Sequence, residues 1–158
     1  MPMTDPTDAL VSFQQALTAG QITLVRGELD KNIYVHSDRP NGELRLTYAT
    51  LNGKVVTALV LFVNSDPLDG APCFNLGYAV PDAFRNQGRA KALVLAAIAE
   101  LRNGLSRNGI TKFSVEAIID ASNVPSQRVA EHALSATATP ITDSVSGLPA
   151  LHYVKTIT

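Results

Sequence analysis

Residues Phe74 to Ala90 read FNLGYAVPDAFRNQGRA, an apolar, strand-like run that passes into a polar loop and then into the start of a long helix. That order decides the fold, because a helix start leaves backbone N–H groups without partners and so suits an anion. The last six residues, Arg85, Asn86, Gln87, Gly88, Arg89 and Ala90, set small residues where backbone has to come close to a ligand, with two arginines beside them. The expected guest is a phosphate.

Working outward, Ala90, Val94, Ala97, Leu101 and Leu105 recur at helical spacing from Arg89 onward, and Asn108-Gly109 supplies the stop. Phe113 to Ile119 reads as a strand. The strand, helix, strand sequence is a crossover that sets it parallel to the strand Phe74 to Val80. Upstream, Lys54 to Val63 (KVVTALVLFV) is apolar on both faces, as a central strand covered on both sides would be. Asn64 to Pro72 collects Asn, Ser, Asp, Pro and Gly and reads as a loop, across which Phe74 to Val80 pairs antiparallel to the central strand.

Leu44, Leu46 and Tyr48 alternate with polar or small residues as in a half-buried strand, Asn52-Gly53 is a hairpin turn, and Asn32 to His36 is a short strand. Asp8 is expected to cap a helix from about Ala9 to Ala19 that carries Leu10, Phe13 and Leu17 on one face and ends at Gly20. Asn123 to Leu134 fits a short helix whose first turn begins either at the cap Asn123 or at Pro125. The tail Ala136 to Thr158 reads as two strands about a Gly147-Leu148-Pro149 turn, the second being Leu151 to Ile157.

Composition sets limits on the ligand and its setting. The chain has 158 residues, 46% hydrophobic and 17% charged, with a formal net charge of −1, so an anion has to be held locally rather than by a basic surface. No nucleic-acid partner is expected. Cys73 is the only cysteine, which excludes an intrachain disulfide and a cysteine-based zinc site. The start MPMTDPTDALVSF lacks a basic region followed by an apolar run, and no segment approaches a membrane span, so the expectation is a cytoplasmic protein without a membrane partner. His36, His132 and His152 are scattered without ligand or triad spacing and read as surface or packing residues; no metal is expected. A Walker A loop needs Gly-Lys followed by Ser or Thr, whereas Gly88 precedes Arg89 and Ala90, and the further glycines of a dinucleotide fingerprint are missing.

The order of elements, with GYAVPDAFRNQGRAKAL and NVPSQRVAEHAL in register with it, resembles the GNAT N-acetyltransferase family, and in particular the branch that includes ribosomal-protein alanine N-acetyltransferases. The resemblance covers nearly the whole chain. It implies a single domain over residues 1–158 with an α/β (α+β) fold, a mixed and mostly antiparallel sheet with helices on both faces and a parallel pair around the acyl-CoA site. It also implies acetyl-CoA as cofactor and a protein N-terminal or small-molecule amine as acceptor. Arg85, Asn86, Gln87, Gly88, Arg89, Ala90 and Lys91 would then hold the pyrophosphate. Ala79 and Val80 would pair along the pantetheine arm and offer an N–H to the thioester oxygen, and Asn123 would bond the same arm.

Direct attack needs a neutral amine, a stabilised oxyanion and a proton for the leaving thiolate. The chain departs from the family where these groups usually sit. The position of the usual acid, a Tyr seven residues after Asn123, is Ala130; the usual base, a Glu two residues before Gly77-Tyr78, is Asn75; and a usual Gly-Phe is Leu134-Ser135. Ser126 matches the serine that serves the thiolate in the alanine branch, and Glu116, on the strand bordering the expected cleft, is the base candidate through a water. Cys73 reads as a structural thiol, since direct transfer needs no acyl-enzyme. The losses at Asn75 and Ala130 keep a second reading open, a CoA-binding regulatory or interaction module without catalysis. The closing strands offer an edge compatible with a homodimer or a monomer.

Overall fold

The computed structural model describes residues 6–144 and 146–158. Among them an eight-stranded sheet runs in the order β1-β2-β3-β4-β5-β6-β8-β7, with α1 on one face and α2 and α3 on the other. The elements are α1 (Pro6–Thr18), β1 (Val25–Arg26), β2 (Tyr34–Asp38), β3 (Arg45–Asn52), β4 (Val55–Leu68), β5 (Ala71–Ala79), α2 (Arg89–Arg107), β6 (Phe113–Asp120), α3 (Val124–Ala133), β7 (Thr139–Thr142) and β8 (Pro149–Ile157). Every neighbouring pair is antiparallel except β5 and β6. The mixed sheet, its helices on both faces and its single parallel pair agree with the expected fold class.

The central strand is β4, as its two apolar faces require. Ala58, Val60 and Phe62 pack toward α2 and α3, while Val56, Leu59 and Leu61 pack under Leu10 and Phe13 of α1. Tyr48, Phe62, Phe74 and Phe113 cross the sheet as a row of edge-to-face rings with centroids 5.9, 6.5 and 6.2 Å apart. That geometry suits the ring quadrupoles and ties β3 through β6 together on the α2 side. On the other face Gln14 clamps α1 to the sheet: its Nε2 donates to the Lys54 carbonyl (2.9 Å) and its Oε1 accepts the Val56 N–H (2.8 Å).

Two local readings are corrected, and one left open is decided. The expected loop Asn64 to Pro72 is mostly strand, because β4 continues to Leu68 and β5 begins at Ala71. Only Asp69 and Gly70 turn, with φ of 51° and 77°. Both central residues at positive φ make the tight hairpin that an Asp-Gly pair favours. Pro67, which has no N–H to give, sits where the ladder is irregular between Ser65 and Leu68. Helix α1 covers Pro6–Thr18, so Asp8 lies within it rather than at the cap. Asn123 is the cap of α3, its Oδ1 accepting the Ser126 N–H at 3.2 Å; Pro125 falls in the first turn, where a missing N–H costs nothing.

One buried carboxylate holds a loop. Glu100 of α2 is only 7% exposed and accepts the N–H groups of Glu28 (3.0 Å), Leu29 (2.6 Å) and Asp30 (2.8 Å). The loop lies so close that a Cβ on Gly27 would come within 2.4 Å of the Asp30 carbonyl and 2.9 Å of Glu100 Oε1. Only glycine fits there. No helix among the described residues is long and apolar enough to cross a membrane.

Candidate functional site

The parallel pair is short. Strands β5 and β6 are in register only at Cys73–Ser114, Phe74–Val115 and Asn75–Glu116, although β5 continues to Ala79 and β6 to Asp120. Beyond Asn75 the two strands part, each still paired on its outer side, to β4 and to β8. The gap opens into a cleft of about 630 Å³ walled by Leu76 to Val80 on one side and Ile118 to Asp120 on the other. Backbone groups on both inner edges are thereby offered to a ligand instead of to each other.

The opening stretch of sequence forms the mouth of this cleft. Arg85, Asn86, Gly88, Arg89, Ala90 and Lys91 all line it. Asn86 and Gly88 take left-handed φ values of 61° and 71°, which Asn and Gly tolerate best, and the chain turns through them into α2. Gly88 is the cap, and the first helical bond runs from the Ala92 N–H to its carbonyl (3.1 Å). The N–H groups of Arg89, Ala90 and Lys91 precede that bond and have no intrahelical acceptor.

Side chains at the mouth are ordered by neighbours. Arg85 donates from Nε to the Val80 carbonyl (3.0 Å) and pairs with Asp82 (2.9 Å); Arg89 donates to Gln87 Oε1 (3.0 Å) and lies 5.2 Å above the Phe84 ring. Two arginines are thus held at the rim with donor capacity to spare. Gln87 does not line the cleft; its amide serves Arg89.

Asn123, Pro125, Ser126 and Val129, at and after the α3 cap, line the same cleft as Ala79 and Val80. Tyr78, which sequence reasoning left unassigned, spans it: the phenol donates to the Ser126 carbonyl and so fixes β5 relative to α3. Burial pushes the Tyr78 hydroxyl well above the usual tyrosine range, so it stays protonated and remains a donor at neutral pH. Ala130, where the usual acid is missing, is buried in the core.

Glu116 does not line the cleft. It sits on the α1 face of the sheet beside Asn75, accepts the Ser65 hydroxyl (3.0 Å) and lies 2.9 Å from His152 Nε2. His152 is therefore not merely a surface or packing residue, as expected from its spacing, but half of a polar pair whose side chains are 29% and 14% exposed. Its partner comes from β6, and only the β6–β8 register, in which Ile118 faces His152, brings the two together. Asn75 ends the paired stretch, is 9% exposed and lines the cleft; its Nδ2 is buried without a hydrogen-bond partner among the described residues.

Cys73 is 1% exposed, and burial, with the Glu116 carboxylate nearby, pushes its thiol up to about 11. A thiol so held is protonated and inert at neutral pH. Native protein is expected to resist iodoacetamide at pH 8 and to react fully once unfolded in guanidinium; rapid labelling of the folded form, read by mass spectrometry, would contradict this. Among the described residues no group of three or more His, Cys, Asp or Glu could hold a metal ion.

Comparison with known proteins bears on this geometry. The model of the acetyltransferase (GNAT) family matches residues 15–134. An acetyltransferase of that family from Streptococcus pneumoniae superposes with a TM-score of 0.55 at 11% identity, over 72% of this chain and 67% of the other. The ribosomal-protein-S5-alanine acetyltransferase from Vibrio fischeri gives 0.53 at 11% identity, over 73% and 62%. A GNAT acetyltransferase from Bacillus anthracis gives 0.53 at 11% identity, over 84% of this chain and 97% of that one. This chain spans about two thirds of the first two, and at such identities the likeness is one of fold. Compared by sequence with curated proteins, the chain has no match.

Proposed function

The chain belongs to the acetyltransferase (GNAT) family, whose acyl donor is acetyl-CoA, and from that premise we propose that it moves an acetyl group from acetyl-CoA to a primary amine by direct attack. The observation that carries the reading is the parting of β5 and β6 beside the bare N-terminus of α2. A pyrophosphate suits the N–H groups of Arg89 to Lys91 and the helix dipole, and Arg85 and Arg89 can reach its oxygens; Asn86, Gln87 and Gly88 shape the loop that presents them. An extended pantetheine arm suits the gap, where the inner backbone edge at Ala79 and Val80 can pair with it as an added strand and Asn123 faces it from α3.

The amine nitrogen bonds to the thioester carbon, whose oxygen takes up the negative charge, and the carbon–sulfur bond breaks as that oxyanion collapses; the thiolate leaves and the new amide sheds one proton. A backbone N–H at Ala79 or Val80 stabilises the oxyanion. Ser126, at the cleft wall, supplies a hydrogen bond to sulfur. Glu116, adjacent to Asn75 and joined to His152, takes the amine proton through a water. The acceptor is a protein N-terminal amine or a small amine, and the edge position of β7 keeps a homodimer within this reading.

An acceptor screen that reads free thiol release tests the proposal. Steady turnover is expected in the unmodified protein, with a loss of about ten- to a thousandfold in kcat for Ser126→Ala and for Glu116→Gln, in the range that single positioned acid–base or hydrogen-bonding groups contribute. Unchanged kcat in either variant removes that residue from the mechanism. CoA binding without turnover on any amine would favour the non-catalytic module, for which the losses at Asn75 and Ala130 speak.

A further inference from the structure

We infer that Asn75 is a specificity-determining residue, whose side-chain amide binds an oxygen next to the acceptor amine and so selects aminoacyl-type acceptors over plain alkyl amines. This rests on the acetyltransferase reading. The starting observation is a cost: Asn75 lines the cleft, and its Nδ2 is buried with no hydrogen-bond partner among the described residues. A buried donor left unmade destabilises the folded chain, so it is expected to be met by whatever fills the cleft.

Its place narrows what that is. Asn75 is the last β5 residue paired to β6, at the fork of the gap, and it projects to the α1 face together with Glu116. On that face the first turn of α1 closes over β5: Pro6 Cγ would lie 3.3 Å from a Cβ on Gly77, and Pro6 and Thr7 line the cleft beside Asn75. The amide is therefore enclosed near the reacting end, away from the mouth where Arg89 and Lys91 stand. An amide cannot serve as a base at neutral pH, but it presents a donor and an acceptor side by side in one plane. An amino acid amide or peptide N-terminus offers the complement, amine N–H groups next to a carbonyl oxygen. A plain alkyl amine offers no oxygen, and the Nδ2 donor would stay unmade in the complex, a penalty that polar sites use to reject such analogues.

Steady-state kinetics with alaninamide and propylamine, at saturating acetyl-CoA, test this in the whole chain. The unmodified protein is expected to favour alaninamide by about ten- to a hundredfold in kcat/KM, and Asn75→Leu to erase that preference, alaninamide losing far more than propylamine. Equal use of both amines by the unmodified protein, or a preference that survives in Asn75→Leu, overturns the proposal. A second readout separates its failure from that of the acetyltransferase reading. If neither amine is acetylated, the melting temperature decides: Asn75→Leu is expected to raise it, because an unmet donor is replaced by an apolar group of similar volume, and a fall would show a partnered structural amide and overturn the inference.

Discussion

Ala90→Glu is expected to raise the dissociation constant for CoA about a hundredfold while leaving the ligand-free protein as stable as before or slightly more so. The two effects have opposite signs for one reason. Ala90 is the second residue of α2 and lines the cleft mouth. A carboxylate there favours the positive end of the helix dipole, by about 0.3–1 kcal/mol. The same charge stands near the place of a pyrophosphate, and at about 6 Å with an effective dielectric of about 20 the repulsion is about 3 kcal/mol. Calorimetric titration with CoA and a thermal melt of the free protein read the two separately. Ala90→Gln, of equal length and no charge, distinguishes blockage from repulsion. An unchanged CoA affinity in Ala90→Glu would remove the α2 start from the binding site.

Glu100→Ala is expected to cost about 3–5 kcal/mol of folding stability, a fall in melting temperature of about 10 °C for a chain of this size. Three backbone N–H groups lose a charged acceptor at once, and the close approach of Gly27 leaves little room for water to take over. Glu100→Gln, which keeps one acceptor oxygen, is expected to fall between the two. A shift below about 2 °C in the alanine variant would mean that the Gly27–Asp30 loop finds other partners. Neither substitution touches the cleft, so CoA affinity of the folded protein is expected to be unchanged.

How far the sequence could be read depended on the range of the information. Helix α2 was legible because its apolar spacing and its Asn108-Gly109 stop are local, and the parallel placement of β6 followed from the strand, helix, strand crossover. The Asp69-Gly70 hairpin was just as local but was hidden by Pro67 and the polar residues around it, which read as loop although the ladder merely breaks there. At the site, the α2 start and the Asn123 cap were written in turn chemistry. The Glu116–His152 pair was not, because it depends on the register of strands 36 residues apart in the chain. Tyr78 looked like one more apolar strand residue, and only the position of α3 gives its hydroxyl a partner. The unmet amide of Asn75 is a statement about what does not surround it, which no linear motif can carry.

The short β5–β6 pairing has a kinetic side as well. Strands β2 through β5 join neighbours in sequence by short connections, those between β3, β4 and β5 being tight turns, so they can zip from one hairpin to the next with little loop entropy to overcome. The joint to the remaining strands is different: it spans the whole of α2, consists of three residue pairs, and yields few backbone bonds for the chain it must close. Contacts of that kind form late. The order of assembly is therefore expected to run from the meander to the helix to the far strands, which makes the cleft the seam at which the two halves of the sheet meet last.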